Sequence, residues 1–588
     1  MPALARPVPA GWHTGVWEWD RDAILGSRAL TLAELVSGVP GVVSIRGGDF
    51  GAPRSISAFG AGGGRIRVFR DGVEILPLEG SVTDLSRVGL AGLQTVRVVR
   101  ATGEIRIELE SMLTAGGRPY SLVEAGTGDL NTNLFRGTFA HPRALGGAVA
   151  LGIDRVDTQG LRGQEPGAST GGWIRYARTL TERGVIALDY ARSSSNRGEV
   201  FSPSEASRSD WSVRTRWRLL PGLDGDLYYA SSSLKTEEPD TFDFGLERRS
   251  RFGGLLSYRS SRLRGRARGR VLSGEGLPSY SASLALEGDL SPVGGVGGEF
   301  QWESWGGESA FRNRVRLWSA PFFGFSLFAE RGGGRYGLPY LPARPPPEPD
   351  GEEDQGGETQ EPEAIPPLVP GPRFSETTGV RFGFQYRRRG LFLGVARVTV
   401  DSDSLFLLGL PLDRQGETFP GGKREGLELS ARVPLYPSGL ALRGSYQWWD
   451  QPEDVRGPVE GSPGGTALLS QDEMPWRYLP GHNYQAELSF HDTFFPTENL
   501  EVWFDIGVRG REPMASPFPE DVGGQDLLVP TMVPFYQSWF TRLQIRVVTV
   551  RAFIVWENFT LRQSNQDLPG RILPATRSLY GVRWTMWN

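Results

Sequence analysis

The feature that most constrains this chain is an alternation of apolar and polar residues that repeats from about residue 118 to the C-terminus. A period of two indicates β-strands with one apolar face and one polar face. In residues 211–219 one face carries tryptophan, valine, threonine and leucine, and the other carries serine and three arginines. The alternation recurs in residues 311–317, 440–448 and 500–509. We count about 22 such segments, each near the ~9–11 residues that a tilted strand uses to cross a bilayer.

The lengths of the connections favour a closed barrel. Alternating short and long connections are typical of outer-membrane barrels, with short turns in the periplasm and long loops outside the cell. We therefore predict a mostly β chain that forms a large antiparallel transmembrane β-barrel of about 22 strands. Short breaks fall near residues 141–144, 180–183, 220–222, 290–293, 436–438 and 495–498. Long breaks fall near residues 158–168, 194–208, 235–247, 332–373, 402–423, 450–481, 511–530 and 561–576.

Aromatic side chains cluster near the ends of the predicted strands. Such residues form girdles at the two membrane interfaces of transmembrane barrels. We predict this interfacial role for Trp448, Trp449, Phe494, Phe495, Trp539 and Phe540.

The composition argues against several other classes of protein. No stretch approaches the ~20 uninterrupted apolar residues of a membrane-spanning helix. There is no cysteine, and the four histidines lack metal-ligand spacing, so we expect no disulfide, no metal site and no cofactor. No Gly-x-Ser-x-Gly motif accompanies the few histidines, and we predict neither catalytic residues nor enzymatic activity. A net charge of -4 argues against nucleic acid as a partner.

Residues 30–109 have a different pattern, which predicts a small α+β domain. Thr31 precedes an apolar helical pattern as its N-cap, and Gly38 and Pro40 end the helix. Residues 66–70 and 96–100 are rich in β-branched side chains and predict strands. The pair that follows the first of these strands, Asp71-Gly72, predicts a tight turn.

This α+β domain has a place inside the predicted barrel. A barrel of about 22 strands encloses an aqueous lumen that leaks unless a domain occupies it. We assign residues 1–29 to an N-terminal periplasmic segment, residues 30–115 to a domain that plugs the lumen, and residues 116–588 to the barrel. Residues 344–372 are rich in proline and glutamate and predict a disordered acidic extracellular loop. Residues 1–10 lack the apolar core of a signal peptide, so we expect the natural start to lie upstream.

Three segments in sequence order resemble the plug domain of TonB-dependent outer-membrane receptors. Residues 30–48 (LTLAELVSGVPGVVSIRGG) are similar to the opening helix of the plug, its Val-Pro-Gly-Val turn and its first strand. Residues 55–75 resemble the strand pair that carries the family's Asp-Gly-Val, and residues 83–100 resemble the segment that ends in its arginine-rich strand. The matching motif residues are Pro40, Gly41, Asp71, Gly72 and Arg100.

The sequence departs from the family pattern in three places. Ala58-Phe59-Gly60 stands where the family has Arg-Gly-Phe. Residues 101–109 follow the arginine-rich strand at once, where the family continues through a long glycine-rich stretch, so we predict a trimmed plug. The segment before residue 30 holds no clear TonB box, and residues 13–17 (HTGVW) are an extended segment of ambiguous role.

Residues 60–64 (GAGGG) lack the ending of a phosphate-binding loop and are interpreted as a flexible loop.

The resemblance implies a receptor in the bacterial outer membrane that binds a scarce extracellular ligand and imports it to the periplasm. It implies a TonB-type energy-coupling protein, outer-membrane lipid and the barrel-assembly machinery as partners. The ligand would be a small molecule, a glycan or a peptide that the sequence does not identify. The alternative is a non-transporting binding or structural barrel with a vestigial plug. A TonB box in an upstream extension would favour import.

Candidate ligand-binding residues lie in the plug loops and on the lumen face of the barrel. In residues 262–270 arginines alternate with small and apolar residues, so their side chains share one face of a strand. Guanidinium groups suit a carboxylate or phosphate ligand, but in an enclosed lumen they can instead pair with acidic side chains of the plug and the wall. The candidates are Arg46, Asp49, Arg54 and Arg65 in the plug loops, and Arg264, Arg266 and Arg268 on the lumen face.

Overall fold

The computed structural model describes residues 11–60, 62–113, 117–161, 166–197, 205–236, 248–274, 276–339, 372–408, 418–436, 439–451, 476–522 and 525–586. In these residues a small N-terminal domain lies inside a closed β-barrel. The predicted acidic loop at 344–372 falls outside the described residues except for position 372. Within the described ranges, no helix has the length and apolar character needed to span a membrane.

The N-terminal domain is an α+β unit built on a mixed five-stranded sheet. The sheet has the order β1-β6-β7-β4-β5, in which β4 and β7 are parallel and the other neighbours are antiparallel. Strands β2 and β3 form a separate hairpin. The elements are β1 (Val16–Asp20), α1 (Arg21–Leu25), α2 (Leu32–Val36), β2 (Val43–Arg46), β3 (Arg54–Ser57), β4 (Ile66–Arg70), β5 (Val73–Ile75), β6 (Leu93–Arg100) and β7 (Ile105–Ser111).

The predicted helix and strands of this domain are confirmed. Helix α2 begins after Thr31, whose hydroxyl accepts a hydrogen bond from the Glu34 backbone N–H at 3.3 Å. The Glu34 carboxylate in turn accepts from the Leu30 backbone N–H at 2.8 Å, so one donor of the first turn and one donor just before the helix are satisfied. The predicted turn joins β4 to β5, with φ of 54° at Asp71 and 87° at Gly72.

The sheet begins earlier in the chain than the predicted plug boundary at residue 30. Strand β1 lies within the segment assigned to the periplasm, yet it pairs along its whole length with β6, from Val16 opposite Val99 to Asp20 opposite Thr95. Before it, Trp12–Thr14 form a 3-10 turn, and the Trp12 ring packs edge-on against Phe328 of the barrel at 5.4 Å. The ambiguous HTGVW segment is therefore part of the folded domain.

The barrel confirms the predicted strand number, and most of its connections alternate between short and long as predicted. The exceptions are the extracellular connections at residues 129–131 and 306–307, which are short. Twenty-two antiparallel strands close when β31 pairs with β8. The connection between β26 and β29 carries a further hairpin, β27 (Met514–Val522) and β28 (Gln525–Val533). The barrel strands are β8 (Tyr120–Gly128), β9 (Thr132–Ala144), β10 (Gly147–Thr158), β11 (Gly167–Thr181), β12 (Gly184–Asn196), β13 (Glu205–Leu220), β14 (Leu223–Thr236), β15 (Arg248–Arg259), β16 (Leu263–Ser273), β17 (Tyr280–Asp289), β18 (Gly294–Trp305), β19 (Glu308–Ser319), β20 (Phe325–Leu338), β21 (Arg373–Arg388), β22 (Leu391–Phe406), β23 (Thr418–Pro434), β24 (Leu440–Trp449), β25 (His482–Phe494), β26 (Leu500–Arg511), β29 (Tyr536–Val547), β30 (Val550–Glu557) and β31 (Arg577–Met586).

The apolar side chains of the strands face outward and the polar side chains face the lumen, as the alternation predicts. On β13 the Trp211 and Trp217 side chains are exposed on the outside of the barrel, whereas Arg214 and Arg216 are buried on the inside. The same holds on β19, where Phe311 is exposed and Arg312 is buried. Because the apolar face meets lipid, the polar face is left to contact the N-terminal domain.

The predicted aromatic girdle is correct for some residues and wrong for two. Trp448, Phe494 and Phe495 are exposed on the outer surface, as expected. Trp449 and Phe540 are each only 2% exposed and face the lumen instead. Neighbouring residues of a strand point to opposite faces, so a pair such as Trp448-Trp449 cannot lie wholly in the girdle. The Trp449 ring packs against the plug-domain Phe59 at 5.7 Å.

Candidate ligand site at the extracellular face of the plug

Three loops of the N-terminal domain reach the extracellular ends of the barrel strands; we call them the apical loops (residues 46–54, the described residues 58–60 and 62–65, and residues 76–84). The first approaches β12, since a Cβ on Gly51 would lie 2.4 Å from the Asn196 carbonyl oxygen. The third approaches β15, where the Arg249 guanidinium donates to the Pro77 carbonyl oxygen. Long connections join the strands at this end, which is the extracellular side of an outer-membrane barrel.

The glycine-rich segment at 60–64 is packed closely against the barrel. A Cβ on Gly62 would lie 1.7 Å from the carbonyl oxygen of Phe406, and the Gly63 N–H donates to the same oxygen at 3.2 Å. Only glycine permits so close an approach of two backbones. In the described residues of this segment, glycine allows the plug backbone to pack closely against the end of β22.

Two buried arginines lie where this second apical loop meets the wall. Arg65 of the plug is 4% exposed; its Nη2 donates to Ser375 Oγ at 2.8 Å, and its guanidinium lies 4.1 Å from the centre of the Tyr336 ring. Arg424 of β23 is 2% exposed and donates to Ser402 Oγ at 2.7 Å. The two cations are near enough to repel each other electrostatically.

The charge of this arginine pair is not balanced by a direct ion pair. Within the described ranges, neither Arg65 nor Arg424 has a carboxylate in ion-pairing contact, and the Arg424 Nε and Nη1 atoms are buried without a hydrogen-bond acceptor. Burial, aided by the neighbouring Arg312, lowers the pKa of Arg65 to about 10. The Trp476 ring, from the extracellular connection after β24, lies 5.7 Å from the Arg424 guanidinium.

The first apical loop carries the candidates Arg46 and Asp49, and both are paired with the barrel. Arg46 Nε lies 2.6 Å from Asp567 Oδ2, and Asp567 also pairs with Arg511 at 3.3 Å. Asp49 is 6% exposed and forms an ion pair with Arg577 of β31. These two candidates therefore fasten the loop to the extracellular connections and strands around it.

Arg54 lies in the interior of the plug. It is 1% exposed, and its Nη1 lies 2.9 Å from Glu34 Oε1 at the start of α2. Burial alone would raise the pKa of Glu34, but the Arg54 charge and the Leu30 N–H outweigh it and lower this pKa to about 2. The contact joins two elements of the plug and offers no surface to an extracellular ligand.

The candidate lumen arginines lie below the apical loops, in the half of β16 that begins at the periplasmic turn. Arg266 pairs with Glu108 of the plug at 3.2 Å, and Arg264 pairs with Glu287 of the neighbouring strand at 3.5 Å. Arg268 stacks over the plug residue Phe69 at 4.6 Å. Of the two interpretations left open by the sequence, the contacts of Arg264 and Arg266 follow the second, in which the arginines pair with plug and lumen acids, whereas Arg268 contacts an aromatic ring of the plug.

The plug motif residues lie at contacts between the plug and the wall. Arg100 Nη2 lies 2.8 Å from Glu428 Oε2 of β23, and its Nη1 donates to the Pro40 carbonyl oxygen. Gly41 has φ of 76°, and a Cβ there would lie 1.8 Å from the Gln447 side chain. At the opposite side, the Asp71 carboxylate lies 2.5 Å from Arg175 of β11.

Asp71 also supports the fold of the plug itself. Its Oδ1 accepts a hydrogen bond from the Ser111 backbone N–H at 2.9 Å, which ties the turn to the end of β7. Burial would raise the pKa of Asp71, but the Arg175 and Arg214 guanidinium groups outweigh it and lower the pKa to about 2. The Asp-Gly turn thus links β4, β7 and the barrel wall.

Sequence reasoning did not identify Arg424 or the wall acid Glu428. Both lie on the inner face of β23, between the predicted breaks at 402–423 and 436–438. The run Lys423-Arg424-Glu425 at the edge of a predicted loop was the available signal. It did not separate Arg424, which faces the lumen, from its two neighbours, which face outward.

The comparison with protein families bears on the N-terminal domain. Residues 14–109 match the model of the TonB-dependent receptor plug domain. This segment is a TonB-dependent receptor plug domain. The match includes β1, so the family pattern and the observed sheet both extend upstream of residue 30. A plug domain inside a transmembrane barrel places the chain in the bacterial outer membrane. No curated protein sequence matches the chain.

Several solved structures of receptors and transporters share the fold of the whole chain. The siderophore receptor PirA from Acinetobacter baumannii has 11% identity and a TM-score of 0.66, with 97% of this chain and 98% of that chain covered. The copper transporter OprC has 12% identity and a TM-score of 0.68, with coverage of 97% and 100%. The FrpB iron transporter from Neisseria meningitidis has 10% identity and a TM-score of 0.67, with coverage of 98% and 99%. The resemblance to TonB-dependent receptors is thereby confirmed at the level of plug family and fold.

Proposed function

We propose that this protein is a receptor that binds a scarce anionic small molecule beside Arg65 and Arg424 and imports it to the periplasm. The observation that carries the proposal is this pair of buried guanidinium groups, which lack a carboxylate partner within the described residues. Buried unpaired charges are costly, so an anion that reaches them is strongly stabilised. Catecholate, carboxylate and phosphate oxygens all suit the planar guanidinium donors.

Many of the neighbouring plug–wall contacts differ from this arginine pair. Deeper in the lumen, arginines and acids of the plug and wall face each other in ion pairs. These pairs include Arg28–Glu557, Arg67–Glu303, Asp71–Arg175, Glu74–Arg270, Arg100–Glu428, Glu104–Arg312, Arg106–Glu299 and Glu108–Arg266. In the first and third apical loops, Arg46, Asp49 and Glu79 are likewise paired with the barrel. An excess of positive charge at the extracellular end of such a lumen attracts anions from outside.

Calorimetric titration of the purified full chain tests the binding step. Ferric enterobactin serves as the strongly anionic probe and cobalamin as a probe without that negative charge. We expect the anionic probe to bind, and the R65L and R424L variants to bind it roughly 10- to 100-fold more weakly, the effect of losing one charge-assisted hydrogen bond. The matched control is R397L, because Arg397 lies on the neighbouring strand with its side chain 59% exposed on the outer face. Unchanged affinity in R65L and R424L, or preference for cobalamin, would contradict the proposed site.

Uptake of the bound probe by whole cells tests the transport step. By the family resemblance, an energy-coupling protein of the TonB type pulls on the N-terminal segment of the plug. In this chain Trp12 is 6% exposed against the wall and β1 continues the plug sheet, so force applied before Gly11 is transmitted directly to the plug. We expect accumulation of labelled probe in cells with the coupling protein and none in cells without it.

The alternative of a non-transporting barrel is favoured by one observation, the number of ion pairs that hold the plug. A plug fixed in this way can serve as a permanent closure. Binding of the probe without accumulation in energised cells would support this alternative, and would leave the binding site itself intact.

A further inference from the structure

A patch of positive charge lies on the membrane-facing surface of the barrel, near the extracellular ends of β12 to β15. We call it the basic patch, and its cations are Arg192 on β12, Lys235 on β14 and Arg248 on β15. The strand register places Arg192, Ser209, Ser233 and Arg248 in one row across the four strands. Lys235 lies two residues beyond Ser233, towards the extracellular end. All three charged side chains are exposed.

Aromatic side chains on the same outward face show where the basic patch lies relative to the membrane. The next register row towards the membrane holds Tyr190 and Trp211, and the row after it holds Tyr229 and Phe252. These four side chains are between 38% and 54% exposed on the outer surface. Aromatic girdles of transmembrane barrels mark the boundary between acyl chains and headgroups. The basic patch, with its long side chains, therefore reaches the headgroups of the outer leaflet.

Serine hydroxyls hold the two arginines of the basic patch. Arg192 Nε donates to Ser207 Oγ at 3.2 Å, and Arg248 Nε donates to Ser231 Oγ at 3.1 Å. Each bond uses one of the five N–H donors of a guanidinium group. In the described part of the chain, the remaining donors of both arginines are left for other acceptors.

Other outward-facing cations near the extracellular end have acidic partners. The pairs are Arg155–Asp157, Arg335–Glu308, Arg397–Glu425 and Lys423–Glu425. Within the described ranges, no carboxylate forms an ion pair with a cation of the basic patch, and Glu205 on the same face accepts a hydrogen bond from Asn196. The basic patch therefore presents an excess of positive charge to the surrounding lipid.

The spacing of the cations suits a ligand with more than one anionic group. Arg192 and Arg248 are three strand spacings apart, about 14 Å between backbones, and Lys235 lies roughly 8 Å from Arg248 on the adjacent strand. Arginine binds phosphate through its planar fork, and lysine binds it as a compact charge. The serine hydroxyls between the cations can both donate to and accept from sugar hydroxyls.

We propose that the basic patch binds the phosphorylated sugar headgroup of a glycolipid in the outer leaflet. The acyl chains of this lipid then lie against the aromatic side chains of the next two rows. The contact is on the outside of the barrel and does not involve the plug, so it does not depend on import.

Native mass spectrometry of the full chain, purified from outer membranes in detergent, tests the inference. We expect about one retained glycolipid per wild-type barrel, and a roughly tenfold lower retained fraction in R192Q/K235Q/R248Q, which loses charge-assisted contacts to phosphate. The matched control is R335Q/R397Q/K423Q, which also removes two arginines and one lysine from the outward face, but from positions paired with Glu308 or Glu425. We expect the control to retain the lipid.

Two further measurements keep the test decisive. Lipid A added to the delipidated wild type should bind, and dephosphorylated lipid A should bind at least about tenfold more weakly, because the phosphate contacts are lost. If the triple variant does not fold, the single variant K235Q carries the comparison, since the Lys235 side chain is exposed.

Several outcomes would overturn the inference. These are equal retention in wild type and the patch variant, equal loss in the control variant, equal binding of dephosphorylated lipid A, and retained glycerophospholipid in place of glycolipid. The connection at residues 237–247 carries five acidic residues in the sequence. Glycolipid that binds only after these residues are replaced by amides would identify the connection, and not the lipid, as the partner of the basic patch.

Discussion

Replacement of Glu428 by glutamine tests how strongly the plug is held to the wall. The Glu428 side chain is 3% exposed and accepts hydrogen bonds from Arg100 of the plug at 2.8 Å, from Arg381 of the wall at 3.0 Å and from Gln447 at 2.6 Å. Arg100 and Arg381 are themselves almost fully buried. The E428Q variant keeps the size of the side chain but leaves two buried guanidinium groups without their shared counter-charge.

The expected effect on the plug is large. Removing one partner of a buried ion pair costs about 3–5 kcal/mol, because the remaining charge stays desolvated. Every 1.4 kcal/mol is about a tenfold change in an equilibrium constant, so opening of the plug near Arg100 becomes at least ~100-fold more frequent. Hydrogen exchange of the purified full chain measures this opening. The Arg100 amide, which donates to the Gly15 carbonyl oxygen at 2.8 Å, and the amides of β1 and β6 report on it.

A control on the same strand separates this effect from a general loss of charge. Glu425 lies three residues earlier on β23, faces outward and pairs with the exposed Arg397 and Lys423. Its partners stay in contact with solvent or headgroups in E425Q, so we expect little change in plug exchange. Wild-type exchange rates of β1 and β6 in E428Q would refute the reasoning, and so would equal acceleration in both variants.

Three further predictions follow from the plug contacts. In G62A the new Cβ would lie 1.7 Å from the Phe406 carbonyl oxygen, so we expect the second apical loop to detach and its amides to exchange faster, whereas G269A, in open space, should change nothing. The pKa of Glu34 is about 2 in the folded plug against 4.5 ordinarily, so its ionised form stabilises the plug above pH 4.5 and this contribution is lost as the pH falls towards 2. The plug of E34Q should therefore be less stable than wild type at pH 7, with the difference in unfolding free energy shrinking below pH 4.5. In D71N the Arg175 ion pair is broken, and we expect faster exchange of the Ser111 amide than in the matched variant D157N, whose residue pairs with the exposed Arg155.

The barrel could be predicted from the sequence because the patterns that indicate it lie within single strands and the connections next to them. Alternation along one strand determines which side chains face lipid, and the lengths of the connections determine which end is extracellular. The same reasoning predicted α2, since the N-cap Thr31 precedes an apolar helical pattern that Gly38 and Pro40 end. The start of the plug was not predicted correctly, because β1 is identified by its pairing with β6, about 80 residues later.

The partners of charged residues could not be predicted for the same reason. Nothing in the sequence around Arg54 indicates that it forms an ion pair with Glu34. Likewise, nothing around Arg266 indicates its ion pair with Glu108. Such pairs join residues that are distant in sequence, and every arginine on the lumen face offers the same chemistry. Only the folded arrangement distinguishes Arg424, which lacks an acidic partner in the described ranges, from the paired arginines of the inner wall.

The charge pattern of the plug–wall interface bears on whether the plug can move. The wall supplies arginines to plug acids, as in Arg175 with Asp71, and acids to plug arginines, as in Glu428 with Arg100. Ion pairs of this kind can exchange their partners for water when the plug shifts, whereas an apolar interface would expose hydrophobic surface to the lumen. Apolar contact with the wall occurs at several places. Val398, Val400, Leu408 and Trp449 join the plug core beside the second apical loop, and smaller clusters form around Trp12, Phe50, Val43, Val73 and Leu78. The ion pairs that hold the plug at rest are therefore also the contacts that water can replace when the plug moves, and uptake with and without the coupling protein decides between a releasable and a permanent plug.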